Sequence, residues 1–340
     1  MAIQSLIIHH IERWQEEQPA TLKLRDSANL VSADYEALFS QLKKVFQFKA
    51  GKLFGRFEES VGDFPFSAWL KDQQAGRSTF ESLVARYMEH FKSLVDKTSE
   101  SFEAYVVTLL EDRADGPRLY LFVLDTQSHL RIDHELNLEP VDTLNTGKLD
   151  YALRIELDEL ENNEQESPYL CMVRSRGQAK LGEAFTQSVG FKNSVDTQQE
   201  TETLMEILAN YTQRAEPKEA AAVRQKAYDF CVEQQQLGEA VPLNELSGYL
   251  DENQPTRFAE FAEQEAHIDA QRQLRPDTRK LKHLVRLSGK GNGLSLSFSS
   301  DLIQQTILFD EKSDTLTITS IPKTLKKQIL EHLKEQQNED

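Results

Sequence analysis

The sequence predicts an α+β protein. An N-terminal mixed or antiparallel sheet with flanking helices comes first, and a mostly helical C-terminal part ending in an antiparallel β-meander follows. Three observations carry this expectation. Thr21-Leu22-Lys23-Leu24-Arg25 and Leu130–Leu136 alternate polar and apolar residues with period two. Apolar runs at 104–110 and 118–125 flank Glu111–Pro117, whose Asp115-Gly116 pair is a turn signal. Apolar residues recur at spacings of three and four after Ser32 and again after Ser78.

Taken in order, residues 2–13 and 19–26 read as two strands joined by a polar connection. A helix follows with Ser32 as its N-cap. Tyr35, Leu38, Phe39, Leu42, Val45 and Phe46 form its inner face, with Lys43 and Lys44 towards the outside. Residues 49–66 read as a loop anchored by Phe54, Phe57, Phe64 and Phe66. Ser78 and Glu81 have capping-box spacing and open a second helix. The hairpin strands come next, then Leu130–Leu136 as a third strand of the same sheet. Strands at 150–157 and 168–173 enclose an acidic loop, Asp158–Glu166.

Beyond Gly177 the pattern turns helical, at 178–189, 198–214, 217–237, 242–250, 255–270 and 276–287. Pro217 and Pro276 suit first-turn positions, where a missing N–H costs nothing. Strands near 293–299, 304–309 and 314–320 and a short helix after Pro322 close the chain. The expected domains are 1–175, containing the sheet, and 176–340, mainly helical with C-terminal strands.

Apolar residues make up 39% and charged residues 28%, enough for a folded core. Cys171 and Cys231 do not make a disulfide framework, which suits a reducing cytosol, and both read as small buried residues. The apolar stretch Leu6-Ile7-Ile8 is interrupted by His9, His10, Glu12 and Arg13, so no signal-peptide core forms. No apolar run approaches the roughly 20 residues that span a bilayer. The expectation is a cytoplasmic protein without membrane contact.

Net charge is −17, which opposes non-specific attraction to phosphate backbones. The positive charge, however, is segregated along the chain. Three segments carry fifteen basic groups and a single acid, Asp277. The first holds Lys43, Lys44, Lys49, Lys52 and Arg56. The second holds Arg174, Arg176 and Lys180. The third, 271–292, includes Arg275, Arg279, Lys282, Arg286 and Lys290. In a helix at 276–287, Leu281, Leu284 and Val285 share one face, and Arg279, Lys282 and Arg286 form a stripe on the other. Such a stripe could track phosphate oxygens.

Other chemistry finds little support. Gly289-Lys-Gly-Asn-Gly293 lacks the strand-before, helix-after context of a phosphate loop and reads as a helix-to-strand connection whose Lys290 could touch phosphate. His9 and His10 point to opposite faces of a strand and cannot share a metal. Of His129, Asp133, His134 and Glu135, His129 and Asp133 could share a face, but no third ligand is visible nearby. No nucleophile elbow or paired nucleophile and base is visible. No catalytic residue, cofactor or metal is expected.

A set of segments resembles the bacterial nucleoid-associated protein family of the NdpA/YejK type. These are Leu22-Lys-Leu-Arg-Asp26, Lys52-Leu-Phe-Gly-Arg-Phe57, Lys148-Leu-Asp-Tyr-Ala-Leu-Arg-Ile155, Tyr169-Leu-Cys-Met-Val-Arg-Ser-Arg176, Val223-Arg-Gln-Lys-Ala-Tyr-Asp-Phe-Cys231, Leu294-Ser-Leu-Ser-Phe298, Leu308-Phe-Asp310 and Leu316-Thr-Ile318. Their order and spacing cover nearly the whole chain. The resemblance implies a protein at the nucleoid, associated with DNA and touching the type II topoisomerase machinery, and it carries no catalytic residues. The basic positions named above rest on charge alone.

Two functions follow as expectations. In the first, the basic residues bind DNA largely without sequence specificity. In the alternative, acidic runs at Glu156–Glu166, Asp196–Glu206 and Asp251–Asp269 hold a basic DNA-bound partner, such as a topoisomerase subunit, with no direct DNA contact. Long amphipathic helices and an open sheet edge would also permit a homodimer.

Overall fold

The computed structural model describes residues 2–14, 18–49, 51–162, 168–175, 177 and 179–339, with the side chains of 335–339 excepted. It divides into two units, Met1–Thr197 and Gln198–Asp340.

The first unit holds β1 (Ala2–Arg13), β2 (Thr21–Lys23), α1 (Ala33–Phe48), β3 (Leu53–Phe57), α2 (Phe66–Gln74), α3 (Phe80–Val95), β4 (Phe102–Asp112), β5 (Arg118–Leu124), β6 (Thr126–Ile132), β7 (Leu138–Leu144), β8 (Tyr151–Glu156), α4 (Leu157–Asn162), β9 (Leu170–Arg174), α5 (Ala179–Val189) and β10 (Phe191–Asn193). Eight strands form one antiparallel sheet in the order β10-β3-β9-β8-β5-β4-β1-β2. Every residue of β5 is buried, because both sheet faces are covered. On one face, Leu83, Tyr87 and Phe91 of α3 and Leu181 and Phe185 of α5 pack on Ile7, Val106 and Leu121. On the other, Phe39, Leu42 and Phe46 of α1 pack on Tyr120 and Phe122.

Short-range patterns were not enough at several places. The expected loop 49–66 contains β3, and α2 begins at its end. Gly55 interrupts the apolar pattern there because β10 passes too close for a side chain. A Cβ at Gly55 would lie 2.1 Å from the Lys192 carbonyl oxygen. The α3 N-cap is Thr79, not Ser78, and its Oγ1 accepts from the Ser82 N–H at 3.2 Å.

Leu130–Leu136 is not a third strand of the main sheet. Both edges of β5 are taken, by β4 and β8. Residues 126–132 pair with β7 instead, as a separate hairpin whose Leu130 is 70% exposed and Leu136, in its turn, 83% exposed. The acidic segment after 157 begins as α4, and residues 163–167 lie outside the described residues.

The second unit contains most of α6 (Thr197–Thr212), then α7 (Pro217–Leu237), β11 (Val241–Pro242), α8 (Leu243–Leu250), α9 (Arg257–Ala266), β12 (Gln273–Leu274), α10 (Thr278–Leu281), β13 (Arg286–Gly291), β14 (Leu294–Ser299), β15 (Ile307–Asp310), β16 (Thr315–Ile318) and α11 (Lys323–Glu339). Leu204, Leu208, Phe230, Leu243, Leu246, Phe258 and Leu281 form its core. Pro217 occupies the first turn of α7 as its missing N–H predicts. Both cysteines are buried and neither is in a disulfide, and burial pushes the Cys231 thiol up to about 12.

The units part after Thr197 and not near 175, because α5 and β10 contribute Leu181, Phe185, Val189 and Phe191 to the sheet core. The expected terminal antiparallel strands are present as two hairpins, β13–β14 and β15–β16. Among the described residues no helix is long and apolar enough to cross a membrane.

Candidate nucleic-acid interface

The largest change from the sequence expectation falls on residues 276–287. The α-helix there lasts only from Thr278 to Leu281. Asp277 caps it by accepting from the Arg279 N–H at 3.0 Å, and Pro276 lies before the cap. A 3-10 turn, Lys282–Leu284, follows, and the chain then enters β13. The helical stripe of Arg279, Lys282 and Arg286 therefore does not exist. Leu281 and Val285 are buried as expected, but at the ends of a turn and not along one helix face.

What replaces the stripe is a hairpin. Asn292 and Gly293 have φ of 49° and 77°, the left-handed pair that a two-residue hairpin turn requires. The register pairs Arg286 with Ser299, Ser288 with Ser297 and Lys290 with Ser295. Directly paired residues share a face, and that face alternates along each strand. One side of the hairpin thus presents Arg286, Ser288, Lys290, Ser295, Ser297 and Ser299. The other presents Leu287, Leu294, Leu296 and Phe298. The Arg286 guanidinium confirms the geometry, since its Nε donates to Ser297 Oγ at 2.7 Å.

None of the residues that β13 and β14 place on this face is acidic, and the sequence from Thr278 to Ser300 contains no carboxylate. Arg286, Lys290 and the adjoining Lys282 and His283 are exposed. Cations interleaved with hydroxyls suit phosphate oxygens: the cations supply attraction, and the hydroxyls supply short donors that fix position. Ser288, Ser295 and Ser297 were missed in the sequence because the preceding segment was read as helix. The Asn-Gly pair ahead of the strictly alternating Leu-Ser-Leu-Ser-Phe-Ser was the available signal.

The other expected positions sort differently. Arg279 is exposed but engaged: its Nε and a terminal nitrogen donate to the two Asp277 carboxylate oxygens at 3.2 and 3.0 Å. This bond holds the guanidinium above its ordinary range. Burial alone would raise Asp277, yet the Arg279 hydrogen bonds outweigh it and keep the carboxylate low. Arg275 is half-buried, and its backbone N–H donates to Glu200 at 2.6 Å.

In the first unit Lys43 is not on the outer side of α1. Its Nζ lies 2.5 Å from Oε1 of the buried Glu111, and burial pulls it below the usual lysine range despite that bond. Lys52 is buried, donates to the Gln47 carbonyl at 2.7 Å and sits over the Phe46 ring. Burial holds it down at about 8. Lys44 is exposed, and Lys49 and Arg56 are half-buried. Arg174 and Lys180 are exposed where β9 ends and α5 begins. The Arg174 stem packs where a Cβ on Gly182 would sit, and Lys180 donates to Ser99 Oγ at 2.7 Å. Arg176 lies outside the described residues.

Comparison with known proteins gives this surface a context. A nucleoid-associated protein of Azotobacter vinelandii (strain DJ) is 30% identical over 332 residues, 97% of this chain and 98% of that protein. One from Pseudomonas savastanoi pv. phaseolicola is 30% identical over 327 residues, 96% of this chain and 98% of that protein. A third, from Pseudomonas fluorescens (strain Pf0-1), is 29% identical over 331 residues, 97% and 99% respectively. With the family model described as nucleoid-associated protein YejK matching residues 7–326, this chain belongs to that family.

Proposed function

We propose that this chain binds DNA through its phosphate backbone, largely without sequence preference, using the β13–β14 hairpin as its main contact surface. The observation that carries the reading is the acid-free face of Arg286, Ser288, Lys290, Ser295, Ser297 and Ser299. Lys282 and His283 extend it. Arg174, Lys180 and Lys44 are exposed and would add weaker contacts, whereas Lys43 and Lys52 are enclosed and add none. On this reading the chain acts by binding in the nucleoid and catalyses no reaction. The surplus of carboxylates elsewhere matters less than the total charge suggests. At physiological ionic strength charges are screened beyond about 8 Å, so the local face decides affinity. A homodimer would present two such faces to one duplex and gain by avidity.

The test is fluorescence anisotropy of the full chain with a labelled duplex over a salt series. The logarithm of affinity should fall linearly with the logarithm of salt, by about 0.9 per phosphate contact. Arg286→Ala with Lys290→Ala should flatten that slope by about 2 and leave stability within about 0.5 kcal/mol. An unchanged slope would rule out the hairpin as the interface.

A second reading is favoured by the exposed carboxylates on and around α9, at Glu252, Glu260, Glu263, Glu265 and Asp269. Here an acidic surface holds a basic DNA-bound protein, such as the topoisomerase subunits implied by the resemblance. Partner recovery that survives nuclease treatment would support it, and recovery that vanishes with the DNA would count against it.

A further inference from the structure

The first unit carries an arrangement that backbone binding does not use. His10 and Glu12 are two residues apart on β1 and so share a face. The β1–β4 register sets Glu12 directly opposite Glu103, and the β1–β2 register sets it opposite Thr21. His10 Nε2 lies 3.1 Å from Glu103 Oε1. Thr21 Oγ1 donates to Glu12 Oε1 at 3.0 Å, which helps to orient that carboxylate. The Tyr105 ring, 4.7 Å from the His10 ring, holds the imidazole in place. All three potential ligand atoms lie within 4.8 Å of one another, and all three residues are half-buried at a groove of about 650 Å³.

Two carboxylates directly opposed across a strand pair repel each other. Among the described residues neither Glu12 nor Glu103 forms an ion pair with a lysine or arginine, although Lys23, paired with His10 across β1 and β2, lines the same groove. We propose that His10, Glu12 and Glu103 form a binding site for a divalent transition-metal ion of the zinc class. Bond lengths of about 2.0–2.1 Å in tetrahedral geometry place ligand atoms about 3.3 Å apart, so side-chain rotation on a fixed backbone closes the site. One imidazole nitrogen with two carboxylates suits a borderline ion. Calcium and magnesium favour six or more oxygen ligands and would find three too few. Three protein ligands leave a fourth position open to water or an exogenous group. The long β1–β4 pairing makes the platform rigid, as a metal site requires. His9, on the opposite face, takes no part.

The experiment is calorimetric titration of the chelator-treated full chain with zinc chloride, alongside thermal unfolding with and without the ion. Wild type should take up one zinc per chain at this site and unfold at a higher temperature when loaded, and magnesium should do neither. Glu103→Gln and His10→Ala should each weaken that uptake by at least about 10-fold. Glu103→Gln also removes the carboxylate repulsion, so its metal-free form should unfold at or above the wild-type temperature, which separates loss of the site from loss of the fold. His129→Ala, an exposed histidine elsewhere, should bind as wild type does. Zinc uptake unaffected by Glu103→Gln and His10→Ala, or the lack of a zinc-dependent shift in wild type, would overturn the assignment.

Discussion

Lys43 and Arg286 both come from acid-poor stretches of sequence, yet they live in opposite environments. In the sheet unit, Lys43, Lys52 and Arg118 are enclosed and committed, unlike the exposed Lys44, Arg174 and Lys180. Lys43 meets Glu111 at 2.5 Å, Arg118 meets Glu156 at 2.5 Å, and Lys52 is turned inward against Phe46. On the β13–β14 hairpin the cations are exposed, and Arg286 has hydroxyl and carbonyl neighbours in place of a carboxylate. A positive charge contributes to recognition only where it is hydrated and uncompensated before the ligand arrives. The two regions therefore predict opposite responses to the same kind of substitution: loss of stability in one, loss of salt-dependent binding in the other.

The largest effect should come from Glu111→Ala. Glu111 is 1% exposed, receives Lys43 and accepts from the Tyr120 hydroxyl at 3.2 Å. Removing it takes the carboxylate away from the half-buried Lys43 ammonium and from the buried Tyr120 hydroxyl, so denaturant unfolding should show a loss of about 3–5 kcal/mol. DNA affinity of the folded fraction should not change. A loss below about 1 kcal/mol would show that the sheet-unit cations are solvated after all, and the contrast between the regions would fail.

Much of the sheet was legible for the same reason that it is stable. Runs such as 104–110 and 118–125 are apolar because both faces of the sheet are covered, and Asp115-Gly116 marked the turn between them. The short elements were not legible. β3 has five residues and one is Gly55, placed there by the close approach of β10, which lies far away in sequence. In 276–287 the spacing of Leu281, Leu284 and Val285 fits a helix and a buried turn equally well, and only the pairing of β13 with β14 decides between them. Charge runs located the cations, but burial is a tertiary property. Nothing local distinguishes Lys43, under Glu111, from Lys44 beside it in the open. The His10–Glu103 pair was invisible for a related reason, since 93 residues separate its members.

A middle-sized effect belongs to Lys52 and carries a pH signature. Burial holds this amine at about 8, against about 10.4 in the unfolded chain. Below pH 8 it is protonated in both states, so the penalty for burying the charge is present in full. Between about 8 and 10.4 the unfolded chain binds more protons than the folded one, and stability rises with pH. From pH 7.5 to 9.5 the gain should be about 2 kcal/mol. Lys52→Met should lose this gain, because no charge remains to be relieved. It should also match or exceed wild type at pH 7.5, where the hydrogen bond lost to Gln47, about 1 kcal/mol, is outweighed. Urea midpoints at the two pH values measure both. The same alkaline rise in the variant would place the titrating group elsewhere.

The smallest effect is the most discriminating. Arg279 is as exposed as the hairpin cations and lies only seven residues before Arg286, and in a helix the two would act together. In the structure Arg279 is already paired in a fork with Asp277, within its own turn. Contact with a phosphate would require it to leave that carboxylate, so little attraction is left for DNA. Arg279→Ala should therefore change the salt slope of DNA binding by well under the ~0.9 expected for one phosphate contact. Stability should shift by no more than about 0.5 kcal/mol, as for an exposed ion pair. Asp277→Asn releases the guanidinium and should move binding the other way, adding up to about one contact to the slope. If Arg279→Ala instead weakened binding as much as Arg286→Ala, the carboxylate would not be neutralising its neighbour. Exposure alone, and not freedom from a partner, would then decide which cations meet DNA.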